Sequence, residues 1–307
     1  MVFSECRKSS IMEASVVEAH NKSWWENSES WIEKVSKYLN TEPFFSYAIP
    51  TLYAFCAMSF LANMLVVVLI ITTRRLRKKQ NIFMILLAIS DAVSSLFTAL
   101  MYVFLSLMKN GQSLIRMVSS ATLLISLFAV SCVAIDRYIA LVWAPMKYHL
   151  IVTPKSCTLA VIIVIASQTF VGILLNLYRQ CEICFPMILF LYIALNVTLY
   201  IVIYKSIGNN RKSISIPRHT LDESKRLLRT FCIIVGVFTL TLGLVCFMYI
   251  FLIVNGTIPD PKTVITYYLC YFLMTINSLA NPIIYWFRLS EFRKAVKNIF
   301  CLRIEVN

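Results

Sequence analysis

A chain of 307 residues with 59% hydrophobic and only 14% charged side chains falls outside the soluble globular range, where about half are apolar and about a quarter charged. The net charge of +14 would suggest nucleic acid in a soluble protein, but no basic stretch here alternates with exposed aromatics. Basic loops held against an anionic membrane surface account for it more simply.

Of the ten cysteines, Cys56, Cys132, Cys157, Cys232, Cys246 and Cys270 lie inside apolar segments and read as packed thiols. Cys6, Cys181, Cys184 and Cys301 have polar surroundings. Residues 1–43 form a polar N-terminal tail with Trp24, Trp25 and Trp31. Charges at Glu5, Arg7, Lys8 and Glu13 interrupt any signal-peptide core there. Asn21-Lys22-Ser23 is a glycosylation acceptor pattern.

Seven apolar runs follow, at about 45–73, 81–108, 113–142, 157–178, 186–206, 226–254 and 264–287. Each is near the ~20 residues that a hydrocarbon core ~30 Å thick requires of a helix, and too long for the segments of a β-barrel. The fold class is therefore an all-α membrane protein, a bundle of seven transmembrane helices over residues 44–287. Lys and Arg fix the expected orientation. Arg74, Arg75, Arg77, Lys78 and Lys79 follow the first run, Lys147 and Lys155 the third, and Arg211, Lys212, Arg218, Lys225 and Arg226 the fifth. The intervening loops offer little beyond Lys109, Arg179 and Lys262. This places the N-terminus outside the cell and the C-terminus inside. Asn21 and a second sequon at Asn255 then lie outside, while the sequon at Asn196 falls within a membrane run. In the last segment, 288–307, Leu289, Phe292, Val296, Ile299 and Phe300 recur on one face with bases opposite. That pattern predicts an amphipathic eighth helix at the interface, and Cys301 at its end is a candidate for palmitoylation.

Polar residues inside membrane helices are costly and usually have a task. Asn63 sits in the first run, Asp91 in the second, Ser126 in the third, and Asn277, Ser278 and Asn281 in the seventh, ahead of Pro282 and Tyr285. Each Asn or Ser alone is equally readable as packing glue bonded to a neighbouring carbonyl. Asp91 is not, because a lone carboxylate needs a cation, donors or a proton. At the inner end of the third run Asp136-Arg137-Tyr138 sets an acid beside a base, with Pro145 and Met146 following.

Asp136-Arg137-Tyr138, the Leu87-Ala88-x-x-Asp91 pattern and Asn281-Pro282-Ile283-Ile284-Tyr285 together resemble the rhodopsin-like G-protein-coupled receptors over roughly residues 45–300. The resemblance implies that Asp136 restrains Arg137, helped by Glu223. It implies that an extracellular ligand favours outward movement of the sixth helix. Arg137, Tyr200 and Tyr285 then support the C-terminal helix of a Gα subunit, with Met146 as a further contact. Arg226 and Arg229, at the foot of the sixth helix, are candidate contacts or else snorkel to the interface. It also implies arrestin and membrane lipids as partners, and a Na⁺-binding cavity lined by Asn63, Asp91, Ser126, Asn277 and Asn281, whose oxygens suit a hard cation. No other cofactor is expected.

The chain departs from the usual pattern in several places. It has Asn110-Gly111-Gln112-Ser113 where a third-helix Cys is common, Tyr192 where the fifth helix usually has Pro, and no Trp on the fourth. The sixth helix reads Phe238-Thr239-Leu240-Thr241-Leu242-Gly243-Leu244, without the usual Trp and Pro, so Gly243 is the candidate hinge. A short second outer loop holds Cys181 and Cys184, which bridge each other or leave one to pair with Cys6. These features are similar to the melanocortin, cannabinoid and lysophospholipid receptor branch. Thr275 stands where opsins carry the retinal Lys, and Ser119 where amine receptors carry an Asp. Arg116, one turn above Ser119, suits an anionic or lipid-like ligand or else snorkels to headgroups; peptides remain open. The alternative class is a transporter or channel, against which stands the lack of internal repeats. An enzyme has no support, since His20, His149 and His219 are scattered.

Overall fold

The computed structural model describes residues 33–77, 81–106, 112–144, 147–177, 184–209, 218–254, 261–288 and 290–301. Asn21, Pro145, Met146, Cys181 and Asn255 lie outside them, and the described side chains do not include those of Arg116, Glu223, Arg226, Arg229 or Cys301.

Seven of the described helices are long and apolar enough to cross a membrane. They are α1 (Pro43–Thr72), α2 (Ile82–Ser106), α3 (Gln112–Tyr138), α4 (Pro154–Leu177), α5 (Cys184–Asn209), α6 (Arg218–Val254) and α7 (Pro261–Arg288). Each begins or ends within a few residues of the apolar run that predicts it, apart from α6, which starts eight residues earlier than the run at 226. Those extra turns, residues 218–225, are polar in sequence except for Leu221. Helices are forced here because lipid offers backbone groups no partners, so every N–H and C=O must be paired within its own segment. Pro43, Pro154 and Pro261 open α1, α4 and α7, where a missing N–H is harmless and the fixed φ suits a first turn. At α4 the cap is reciprocal: Ser156 N–H donates to Thr153 Oγ1 at 3.1 Å and Thr153 N–H to Ser156 Oγ at 2.9 Å.

The bundle is organised on α3, whose membrane window is 72% buried against 17% for α4 and 22% for α5. Those two peripheral helices present Leu159, Ile162, Phe190 and Leu191 outward, as lipid-facing helices should. Gly172 lets α4 close on α3: a Cβ there would stand 2.9 Å from Ala121 Cβ. Beyond Tyr138 the chain runs on through one wide turn, Ile139–Trp143, closed by Ala144 N–H to Ile139 O at 3.1 Å. A single helical turn, Tyr148–Ile151, then follows.

Residues 33–41 are helical, and Val35, Ser36 and Leu39, on one face at helical spacing, are buried with Phe45, Tyr102, Ile115 and Tyr268 in an outer cluster. Tyr268 is the hinge of that cluster, since its hydroxyl donates to Ala48 O at 2.8 Å and its ring meets Phe44, Phe45, Tyr102 and Phe272. At the opposite end α8 (Ser290–Cys301) buries Phe292, Ala295 and Val296 and exposes Arg293, Lys294 and Lys297. Arg293 Nη1 turns back to Phe287 O at 2.6 Å and Trp286 O at 3.3 Å, supplying the last carbonyls of α7 with the donors a helix end lacks. Leu76, buried in the first loop, joins the same inner core as Phe292.

Candidate functional site: two buried polar clusters in the bundle

Buried polar groups form two clusters, one round Asp91 in the middle of the bundle and one round Asp136 at the C-terminal end of α3. At the centre of the first, Asp91 of α2 is 1% exposed. Its Oδ1 accepts from Ser126 Oγ of α3 at 2.8 Å and Ser278 Oγ of α7 at 3.2 Å, and its Oδ2 from Asn281 Nδ2 of α7 at 2.7 Å. Three donors from two helices converge on one carboxylate, which answers the need that a charge in a dry interior creates. Ser95 links this centre to α1 through Ser59 Oγ at 2.8 Å.

Pro282 explains the next contact. It has no N–H to give the carbonyl four residues back, and its ring disturbs that turn. That carbonyl belongs to Ser278, and Asn63 of α1 donates to it at 3.1 Å while also holding Ser59 O at 2.9 Å. Asn63 thus repairs the break in α7 and does not reach Asp91. Asn277 also differs from expectation: its Oδ1 accepts from Thr241 Oγ1 of α6 at 3.0 Å, so it ties α6 to α7. Of the four residues expected beside Asp91, Ser126 and Asn281 touch it. Asn63 and Asn277 serve neighbouring joints, bonding the Ser278 carbonyl and Thr241 instead.

At the C-terminal end of α3 Asp136 and Arg137 are 4% and 5% exposed. Arg137 folds back on its neighbour, with Nε donating to Asp136 Oδ2 at 3.0 Å and Nη2 to the same oxygen. The other oxygen, Oδ1, accepts from Tyr148 OH in the following loop at 2.8 Å. Burial, and then the Asp136 carboxylate beside it, push the Tyr148 phenol above its ordinary value, so it remains protonated and a donor throughout the physiological range. Tyr138, half-buried, ends α3 and packs on the inner core. Tyr200 of α5 lies within electrostatic reach of both Arg137 and Tyr285. Both hydroxyls are buried without a protein partner, and the Tyr285 ring rests 5.9 Å from that of Phe292 on α8.

Tyr148→Phe removes one charge-assisted hydrogen bond and keeps the ring. Such bonds contribute about 1.5–3 kcal/mol, so the variant should melt at a lower temperature in detergent micelles. An unchanged melting curve would show that the bond adds nothing to the resting fold.

On α5 two side chains brace the helix where the family usually has Pro. Tyr192 OH donates to Gln168 Oε1 of α4 at 2.9 Å, and Asn196 Nδ2 to Ser131 Oγ of α3 at 2.9 Å. Toward the outer side Ser119 is buried with its hydroxyl unpaired. Thr275 donates to Tyr271 O at 3.0 Å and meets Cys56 Sγ at 3.8 Å. Cys184 opens α5 as a half-buried thiol, and its candidate partners Cys6 and Cys181 lie outside the described residues.

The sequence patterns do not disclose Tyr148, Gln168, Ser131 or Thr241, whose signal is only a polar atom in or beside an apolar run.

Seven membrane-length helices, with Asp91 held between α2, α3 and α7 and the Asp136–Arg137 pair at the end of α3, have the architecture of a heptahelical membrane receptor. Residues 62–285 match the family described as the 7 transmembrane receptor (rhodopsin family), and the chain belongs to that family. It is 27% identical over 272 residues to melanocortin receptor 4 of Danio rerio, covering 80% of this chain and 81% of that one. It is 26% identical over 273 residues to melanocortin receptor 5 of Pan troglodytes, covering 80% and 82%. The human melanocortin receptor 5 is 26% identical over 271 residues, with the same coverage. The protein is a multi-pass signalling receptor of the plasma membrane, not an enzyme, and the transporter alternative falls away.

Proposed function

We propose that the receptor has its N-terminus outside the cell, binds an extracellular ligand and activates a heterotrimeric G protein by outward movement of α6. The observation that carries this reading is the Asp136–Arg137 pair, buried at the inner mouth beside two tyrosines, Tyr200 and Tyr285, whose hydroxyls are unused. When α6 moves away, Arg137 leaves Asp136 for the incoming Gα helix, and the tyrosine hydroxyls gain partners. A ligand drives this only as far as it binds the open packing better than the closed one. Arrestin would read the same opened face, and Lys and Arg of the inner loops would hold anionic lipid.

For the ligand, the relatives are named as receptors for melanocortin, which makes a melanocortin the first compound to test, beside peptides and anionic lipids. Ser119 offers an unpaired hydroxyl, and Arg116 lies one helical turn above it on α3. Around Asp91 the oxygens of Ser126, Ser278 and Asn281 suit Na⁺, and the unpaired Asn281 Oδ1 supplies a further lone pair. The reading is tested by GDP release from Gα with the receptor in lipid nanodiscs. No release with melanocortins, other peptides or lipids would reject it.

With no Pro in α6, Gly243 is the expected flexing point, and nothing lies within 4 Å of a Cβ placed there. Gly243→Ala should therefore raise helix stability by about 0.5–1 kcal/mol and reduce ligand-evoked GDP release. A more stable variant with an undiminished response would locate the bend elsewhere.

A further inference from the structure

Between α3, α5 and α6 lies a cavity of about 10 Å³, walled by apolar side chains such as Leu127, Ile193 and Phe238, with Asn196 and Thr239 as its polar lining. Asn196 is 6% exposed, and its orientation is fixed. Its amide nitrogen donates to Tyr192 O at 2.8 Å and to Ser131 Oγ at 2.9 Å, and a backbone carbonyl can only accept. Oδ1 is therefore the unused atom, buried and without a protein partner. On α6 Thr239, which also lines the cavity, gives its one hydroxyl hydrogen to Val235 O at 2.8 Å and retains only lone pairs. The free oxygens of Asn196 and Thr239 are thus both acceptors and cannot bond each other directly.

What fits between two acceptors is a small molecule with two hydrogens to donate. An anion would be repelled, and the wall has no carboxylate to hold a cation. A volume of ~10–15 Å³ is the least that houses one water, which needs at least two polar partners.

We propose that one internal water occupies this cavity, donating to Asn196 Oδ1 and Thr239 Oγ1, and that this bridge holds α6 against α5 in the resting receptor. Ser131 and Tyr192 anchor the α5 end, so separation of α6 breaks the bond at Thr239. The bridge stands independently of G-protein coupling; its effect on signalling rests on the α6 movement proposed above.

Two measurements that need no G protein decide the matter. In a density map of the purified receptor fine enough to show ordered water, one peak should lie within hydrogen-bonding distance of both atoms. A dry cavity, or a peak touching one acceptor only, overturns the proposal. Spin-label distances between the inner ends of α5 and α6 then read the consequence. Thr239→Val keeps the shape and deletes the hydroxyl, and should raise the open population about three- to tenfold, the range expected for loss of one hydrogen bond. Thr239→Ser retains the hydroxyl and should match the parent. Val and Ser variants with the same distance distribution would overturn the bridging role, even with the water in place. Failure of GDP release with unchanged density and distances would count against the coupling reading alone.

Discussion

Arg137→Ala is expected to abolish ligand-evoked GDP release and also to destabilise the resting receptor. Arg137 is the only cation bonded to Asp136 among the described side-chain contacts, and both groups are almost wholly buried. Removing one partner of a buried pair leaves the other charge uncompensated, an effect of about 3–5 kcal/mol. Tyr148 still donates to Asp136 Oδ1, so the loss should fall at the lower end of that range. Arg137→Lys separates the two effects. The lysine keeps a charge for Asp136 but loses the planar fork that permits two simultaneous bonds, so stability should recover more than coupling does. The measurements are GDP release in nanodiscs and thermal melting of the same preparations. An alanine variant that couples at the parental rate would remove Arg137 from the transducer contact, whatever its melting temperature.

Asp91→Leu should be the more damaging change to the fold. It strands three buried donors, Ser126, Ser278 and Asn281, which now bond one carboxylate. Each unsatisfied buried group costs about 1–3 kcal/mol, and the relevant groups sit on two helices, so little of the receptor is expected at the cell surface. Asp91→Asn is milder. Its carbonyl still accepts from α3 and α7, but its new amide hydrogens face the Asn281 amide, and the charge is gone. The parent should melt higher in Na⁺ than in K⁺ at equal ionic strength, and Asp91→Asn should erase that difference. A parent receptor indifferent to Na⁺ would dispose of the ion site and leave the hydrogen-bonded network standing.

Much of this was legible in the amino-acid order. Seven apolar runs of membrane-spanning length dictate seven helices, because lipid permits no other open-chain solution. Asp91 announces that it needs company, and a carboxylate in an apolar helix can be met only by donors or cations. What a sequence cannot show is which way a partner helix faces. Asn63, Asn277 and Asn281 all look like ligands for Asp91, yet the packing gives Asn63 to the Ser278 carbonyl and Asn277 to Thr241. Asn196 first draws notice as part of a glycosylation pattern stranded in the membrane. Its tie to Ser131 depends on the approach of α5 to α3, which no local pattern encodes. Tyr148 lies outside any apolar run, so nothing but the packed loop reveals that it holds Asp136. The helix at residues 33–41 is too short to stand out from its polar surroundings, and its burial of Val35 and Leu39 becomes visible only once α1, α2 and α7 have assembled beneath it.

Pro282 removes one backbone bond from α7, and the carbonyl it frees rests on Asn63 of α1. The membrane thus contains a fulcrum: a point where α7 is least stiff along its own axis and most firmly borne from the side. The segment from Tyr285 through α8 extends past that bearing, so a tilt about it would displace each residue in proportion to its distance from Pro282.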